Sequence, residues 1–157
     1  MQGKKIRVLV DGSDTHNFID SPLVERRKLP TDPFEGFTVV ILGNHTMECN
    51  RWIPDLQVNI GDYTVKDNFY VVNVADTNMV LGVQWLYSIG EHSVNYQVPQ
   101  IIFKDAEGKP MVLKGMNTYP NQLISAKSMR SVMRHGDIKW AIAFQITTEG
   151  TNTKVSS

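Results

Sequence analysis

The sequence predicts an all-β fold class, a mainly β domain with one or two short helices. Short runs rich in β-branched and aromatic residues recur along the chain, and clusters of Gly, Asn, Asp and Ser separate them. Apolar and polar side chains alternate between residues 56 and 60, which is the period of a half-buried strand. The predicted strands cover residues 6–10, 37–42, 47–53, 56–60, 63–74, 93–97, 100–104, 110–114 and 140–146.

Two short helices are expected within this β framework. The first begins near Ser21-Pro22, because a capping residue followed by proline suits the N-terminus of a helix. The second covers residues 83–89 and ends at Gly90. Both are short enough to pack against a sheet without changing the fold class.

The pattern of apolar and polar residues changes after Gly115. Residues 121–135 carry apolar side chains at a period near 3.6, which predicts a further helix that ends at a histidine and a glycine. The tail from about residue 147 is rich in Thr, Gly, Asn and Ser, and we expect it to be disordered. We therefore divide the chain into a β domain at residues 1–115 and a C-terminal extension at residues 116–157.

The amino-acid composition limits the classes of function that the protein can have. The chain has 157 residues, the ordinary size of one domain. Hydrophobic residues make up 41% and charged residues 20%, which is typical of a globular protein. The 16 basic residues balance 16 acidic ones, so net charge gives no reason to expect a nucleic-acid or membrane-surface partner.

The numbers and positions of the cysteine and histidine residues indicate the cellular compartment of the protein and whether it binds a metal. Cys49 is the single cysteine, so no disulfide can form within this sequence and a cysteine metal cluster is excluded. The histidines are scattered, which gives no metal-binding pattern. Residues 1–5 lack the apolar run of a signal peptide. We therefore expect an intracellular protein without a bound metal.

An acid at the end of a predicted strand is the strongest local feature. Val8, Leu9 and Val10 lead into the turn Asp11-Gly12-Ser13-Asp14. Such a cluster alone is typical of a solvated turn. A carboxylate in this position can also sit at the floor of a cleft, where two such acids share one proton and activate water. Because the chain supplies one such loop, the pair would need a twofold dimer.

From Ile6 to about Ile146 the chain resembles the protease region of plant Ty3/Gypsy-type retrotransposon polyproteins. In that family a strand leads into Asp-Ser-Gly-Ala-Thr-His-Asn-Phe-Ile, and residues 10–20 here read VDGSDTHNFID. A second element, two apolar residues and a glycine before a short helix, is Val80-Leu81-Gly82 followed by Trp85-Leu86. Residues 123–127 are similar to the linker that joins the protease to reverse transcriptase.

The resemblance implies a retropepsin-like acid protease fold, a homodimeric closed barrel that cleaves a polyprotein as an aspartic endopeptidase. Asp11 is then the catalytic residue, and its partners are a second copy of the chain and an extended peptide. No cofactor is implied, and the expected location is the cytoplasm or the interior of virus-like particles. The implied site residues are the active-site loop (Gly12, Ser13, Asp14, Thr15), a substrate-covering flap (Gly43, Asn44, His45, Thr46) and the loop support (Val80, Leu81, Gly82).

The chain departs from the family at the residues after the acid. The family pattern is Asp-Ser/Thr-Gly, whereas this sequence reads Asp11-Gly12-Ser13. In the family the hydroxyl crosses the dimer to a backbone group and fixes the loop, which Gly12 cannot do. A second hypothesis therefore stands beside the enzyme: a catalytically impaired protease-like domain that acts as a dimerisation or peptide-binding module.

Neighbouring residues have simpler interpretations. His16 follows a structured turn, where a histidine is expected to make a local hydrogen bond. Cys49 is expected to be a small buried residue in a strand. The residues of the proposed flap could also form an ordinary hairpin turn.

Overall fold

The computed structural model describes residues 5–12, 14–41, 45–74, 77–95, 97–115 and 141–147. Within these ranges the chain forms ten strands and two short helices, so the predicted mainly β fold is confirmed. In chain order they are β1 (Lys5–Asp11), β2 (Phe18–Asp20), α1 (Ser21–Arg27), β3 (Asp32–Ile41), β4 (His45–Ile60), β5 (Tyr63–Val72), β6 (Met79–Leu81), α2 (Val83–Ile89), β7 (His92–Asn95), β8 (Gln100–Lys104), β9 (Pro110–Lys114) and β10 (Ala141–Thr147).

The two helices lie where the sequence predicts them. Helix α1 differs in its cap, because Asp20 is the N-cap residue and Ser21 is the first helical residue. The Asp20 carboxylate accepts a hydrogen bond from the backbone N–H of Val74 (2.8 Å) instead of capping the helix. No helix in the described part of the chain is long and apolar enough to cross a membrane. The helix predicted at residues 121–135 lies outside the described residues.

Seven strands form one sheet in the order β10-β1-β6-β2-β5-β4-β3. Strand β1 runs parallel to β6, and β2 runs parallel to β5, while β2 and β6 are antiparallel. The three-residue strands β2 and β6 were not predicted, because they are too short to show a period. They place the end of β1, which carries Asp11, in the interior of the sheet.

The remaining three strands form a second sheet in the order β7-β8-β9. Alternation along these strands turns Ile101, Phe103 and Leu113 inward, while Ile102 and Val112 are exposed. The inward residues join one buried cluster with residues of both helices and of the larger sheet, including Val8, Val10, Ile19, Ile53, Phe69 and Trp85. One hydrophobic core therefore holds the two sheets together.

Strands β3 and β4 form a hairpin, which matches the predicted hairpin. Its turn, residues 42–44, lies outside the described residues. His45 and Thr46 are the first residues of β4, paired with Ile41 and Val40, so the predicted turn extended two residues too far. The register shifts between Pro33 and Phe37, which bends β3 locally.

Strand β10, which follows residue 115 in the sequence, forms one edge of the larger sheet. All of β1 pairs with it antiparallel, from Lys5 opposite Thr147 to Asp11 opposite Ala141. The strand that carries the acid is therefore paired on both of its edges, with β10 on one side and β6 on the other. The predicted division of the chain at residue 115 stays a prediction. The larger sheet nevertheless contains a strand from each side of that division, because β10 comes after residue 115.

Ending the chain at residue 115 should therefore destabilise the sheet. Without β10, the backbone of β1 becomes an exposed edge that has lost seven register pairs. We expect the midpoint of thermal unfolding to fall by roughly 5 °C or more, the shift that about 2 kcal/mol produces in a domain of this size. A chain that ends at residue 147 keeps β10 and serves as the control. Equal unfolding midpoints for both truncations would contradict the β1–β10 pairing.

Candidate active site

Asp11 is the last residue of β1, and it is fully buried with 0% of its surface exposed. Val8 and Val10 belong to the hydrophobic core, so the alternating residues Leu9 and Asp11 lie on the opposite face of the strand. Val10 pairs with Leu81 of β6, while Asp11 pairs with Ala141 of β10. The sheet thus holds Asp11 through β10 on one side and holds the residue before it through β6 on the other.

A tight turn follows the acid. The backbone N–H of Asp14 donates to the carbonyl of Asp11 (3.2 Å), the bond that closes a four-residue β-turn. Gly12 is partly buried in this turn, and Ser13 lies outside the described residues. The active-site loop predicted from the sequence therefore begins as a turn on the end of β1.

The other end of this loop is bound to helix α2. The N–H of Val83 donates to the carbonyl of Asp14 (2.7 Å), and the N–H of Gln84 donates to the carbonyl of Thr15 (3.2 Å). The first N–H groups of a helix have no partner within the helix, so they are free to bind an adjacent loop. Here those donors hold the loop that follows Asp11.

Gly82 permits this contact because it has no side chain. A Cβ built on Gly82 would lie 2.5 Å from the carbonyl oxygen of Asp14 and would also collide with that of His16. The φ of Gly82 is −98°, which any residue adopts, so the requirement for glycine comes from the close approach. Val80 and Leu81, which precede it, pair with Leu9 and Val10 of β1. The structure thus brings the predicted loop support into contact with the predicted loop.

Asn17 is a part of the site that the sequence reasoning did not identify. It is fully buried, and its Oδ1 accepts the backbone N–H of Gly82 (3.0 Å). Its Nδ2 donates to the carbonyl of Asn68 on β5 (3.2 Å). Its own carbonyl accepts the N–H of Tyr70 (2.9 Å). One side chain therefore joins Gly82 to strand β5, and buried polar groups of this kind are costly to leave unpaired.

Gln84 extends this polar network from helix α2. Its Nε2 donates to Oδ1 of Asp67 (2.7 Å) and to the carbonyl of Asn68 (3.2 Å). The only sequence signal for this network is that Asn17 lies inside the string that resembles the family, and nothing in that string indicates its partners. The partners come from β5 and α2, which are far away in the sequence.

His16 joins the loop to the hairpin. Its Nδ1 lies 2.8 Å from Oγ1 of Thr15, so the predicted local hydrogen bond is confirmed. The imidazole stacks on Phe37 of β3, with ring centroids 5.1 Å apart, and meets Tyr70 edge-on at 5.2 Å. Partial burial lowers the pKa of His16 below its usual 6.5. The imidazole is therefore neutral at pH 7.

The other residues that were singled out in the sequence lie in the hairpin strands or outside the described residues. Gly43 and Asn44 of the predicted flap lie outside the described residues, while His45 and Thr46 begin β4. Cys49 is buried in β4, as expected, and burial raises the pKa of its thiol. Among the described residues no three His, Cys, Asp or Glu side chains form a group that could hold a metal ion.

A buried acid at a strand end, held by an apolar-apolar-glycine element, defines this class of domain: a retropepsin-like aspartic protease. Residues 7–109 match the family of the PEG10/RTL1 protease domain, well over half of the chain. The protein belongs to this family, which is of retrotransposon origin. No curated protein matches the chain. The narrower resemblance to plant Ty3/Gypsy elements stays a prediction.

The close approach at Gly82 leads to a test. Gly82→Ala places a methyl group against two backbone carbonyls that cannot move without breaking the loop–helix bonds. We expect a loss of about 1–3 kcal/mol in the free energy of unfolding, the usual cost of overpacking. We also expect a loss of any peptidase activity.

Gly61→Ala is the matched control for this substitution. A Cβ on Gly61 meets nothing within 4 Å, and its φ of +61° carries only the backbone cost of a left-handed residue, about 1 kcal/mol. This variant should lose some stability but keep its activity. If Gly82→Ala is as stable and as active as the parent protein, Gly82 does not approach the loop as closely as described.

Proposed function

We propose that the protein is an aspartic endopeptidase that cleaves peptide bonds of a polyprotein. Two copies of the chain would bring their Asp11 residues together at a twofold axis, since one chain supplies one acid loop. The match to the protease-domain family supports the class of reaction. The polyprotein substrate and the shared catalytic centre are part of the proposal.

The chemistry follows from placing two carboxylates side by side. Like charges about 3 Å apart cannot both ionise, so the pair holds one proton. The ionised carboxylate takes a proton from water, whose oxygen then attacks the carbonyl carbon of the peptide bond. The protonated carboxylate donates its proton to the carbonyl oxygen. Proton transfer to the amide nitrogen then releases the amine and leaves a carboxylic acid.

One observation carries the proposal most directly, the way in which the backbone of Asp11 is held. The residue pairs with β10, the residue before it pairs with β6, and a turn closes directly after it. The loop beyond the turn is bound to the first N–H groups of α2, and Asn17 bonds Gly82, which directly precedes that helix. An acid that shares a proton with its mate must be placed to within a fraction of an ångström, and such rigid backbone suits that requirement.

The β3–β4 hairpin is proposed as the cover of the cleft. A flap that closes over a peptide excludes water and offers backbone partners to an extended substrate. Support comes from the stacking of His16 on Phe37, which places the middle of β3 against the residue that directly follows the candidate active-site loop. Residues 43–46 would then reach over the substrate from the tip.

The second candidate is a catalytically impaired domain that dimerises or binds peptides. The observation that favours it is Gly12, which stands where the family has a hydroxyl residue. Without that hydroxyl the loop lacks its bond across the dimer, and the two acids are held less firmly. Cleavage assays on the variants below separate the two candidates.

Asp11→Asn tests the catalytic assignment. An amide cannot act as a base, so we expect the rate of cleavage of an unstructured protein at mildly acid pH to fall by about 10²–10⁴-fold. A statine-type inhibitor should produce a similar loss in the parent protein. Asp62→Asn makes the same chemical change at an exposed residue and should leave the rate unchanged. An Asp11→Asn variant that retains full activity would place the reaction elsewhere.

Restoring the family order tests the role of the exchanged residues. The double variant Gly12→Ser with Ser13→Gly returns a hydroxyl to each half of the dimer. Each new hydrogen bond is expected to add about 0.5–1.5 kcal/mol, so two together tighten the dimer about 5- to 150-fold. The dimer dissociation constant and the rate of cleavage should both improve, whereas Ser13→Gly alone should give no such gain. If the double variant changes neither quantity, the present loop holds Asp11 without a hydroxyl at residue 12.

A further inference from the structure

Six aromatic side chains form one continuous cluster beside the active-site loop. Each of them is only partly buried, including three phenylalanines, a residue type that is most often fully buried. A partly exposed apolar surface of this kind is typical of a binding site. We call this cluster the aromatic wall; its members are His16, Phe18, Phe34, Phe37, Trp52 and Tyr70.

Tyr70 is the centre of the aromatic wall. Its ring lies 5.3 Å from that of Phe34, 5.1 Å from that of Phe37 and 5.8 Å from that of Trp52. Residues three apart on a regular strand face opposite sides, so Phe34 and Phe37 would not normally meet. The register shift in β3, with Gly36 at a φ of +95°, allows both rings to reach Tyr70. The local irregularity of β3 therefore builds the wall.

Strand register places the aromatic wall on one particular face of the sheet. Residues that pair across neighbouring strands point to the same side. Three register pairs connect Val80 with Phe18, Phe18 with Tyr70, and Tyr70 with Trp52. Their sequence neighbours belong to the hydrophobic core, so the wall faces away from the core; these neighbours are Ile19, Ile53, Phe69 and Val71.

The same register connects the aromatic wall to the catalytic strand. Val80 pairs with Leu9 of β1, and Leu9 lies two residues before Asp11. Since residues two apart on a strand share a face, the carboxylate of Asp11 and the ring of Phe18 lie on the same face of the same sheet. Strands β1 and β2 are separated only by β6. Two strand spacings amount to about 10 Å, and the two residues from Leu9 to Asp11 add about 7 Å along the strand, so Asp11 lies roughly 12 Å from Phe18. Tyr70 is one strand farther and lies roughly 16 Å from Asp11.

We propose that the aromatic wall is a substrate subsite that selects an aromatic side chain on the peptide. This inference rests on the proposed function and adds the class of substrate that the site prefers. An extended peptide advances about 3.3 Å per residue, so about 12–16 Å corresponds to four or five residues. The selected side chain is therefore the fourth or fifth from the bond that is cleaved.

The chemistry of the aromatic wall favours a neutral ring as its occupant. Aromatic rings attract one another edge to face or offset, and such pairs add about 2- to 10-fold in affinity beyond the burial of area. His16 is largely neutral at pH 7 because of its partial burial, so it adds no positive charge that would attract an acidic side chain. Ring faces also attract cations, which makes arginine the alternative that the experiment must test.

Peptide cleavage gives the first test. Two sets of four peptides place Phe, Leu, Arg or Ala at the fourth or at the fifth residue from the cleaved bond, and kcat/KM is measured for each. We expect Phe to exceed Leu by about 2- to 10-fold. Phe34→Leu should reduce this ratio towards one. Tyr87→Leu is the matched control, because Tyr87 is 86% exposed on α2 and outside the aromatic wall, and the ratio should stay unchanged.

Peptide binding gives the second test, and it does not depend on catalysis. The Asp11→Asn chain is titrated with the same peptides while tryptophan fluorescence is followed. The sequence has three tryptophans, so both chains in this comparison also carry Trp140→Phe. The Phe peptide should bind most tightly and change the fluorescence, and Trp52→Phe should then remove that change, since Trp85 is buried in the core.

The two tests separate the inference from the proposed function. Preferential binding of the Phe peptide without any cleavage would retain the subsite and remove the peptidase. Cleavage that does not distinguish Phe from Leu, or that favours Arg, would retain the peptidase and overturn the inference. A Phe preference that survives Phe34→Leu would also overturn it, because the selection would then come from another surface.

Discussion

The structure of the site depends on one close approach, between Gly82 and the loop that follows the acid. No side chain fits between Gly82 and the carbonyls of Asp14 and His16. The gap lets helix α2 bring its first N–H groups to the loop, where they bind the carbonyls of Asp14 and Thr15. The position of the acid is thus determined by a helix that begins about seventy residues later in the sequence. The same contact makes glycine a requirement of packing at this position, since its φ is ordinary.

The polar groups around this contact add rigidity of a different kind. Asn17 is buried, and its amide bonds the backbone of Gly82 on one side and that of Asn68 on the other. Movement of the loop would leave these groups without partners in a region that excludes water, at about 1–3 kcal/mol for each group. Packing and hydrogen bonding therefore oppose the same displacement. The result is a candidate active-site loop that is held by fixed partners on α2.

Much of the fold could be predicted from local patterns, because long strands and helices show a period. The two helices and the strand that leads into Asp11 were predicted, as was the hairpin of β3 and β4. Strands β2 and β6 were missed because three residues show no alternation. The partners of Asn17 and the aromatic wall could not be predicted, since both depend on register between elements distant in sequence. The bend at Gly36, which joins Phe34 to Phe37, has no signal that distinguishes it from an ordinary strand glycine.

The pairing of β1 with β10 has a consequence for the order of events during synthesis. Lys5 lies opposite Thr147, so the strand that bears Asp11 is made long before one of its partners. Contacts so far apart in sequence form slowly, because the chain between them must be closed into a loop. A ribosome that adds 5–20 residues per second needs about 7–28 seconds to pass from one of these residues to the other. Until then β1 lacks a neighbour on one edge, and the strand that bears Asp11 acquires its complete surroundings only when β10 has emerged.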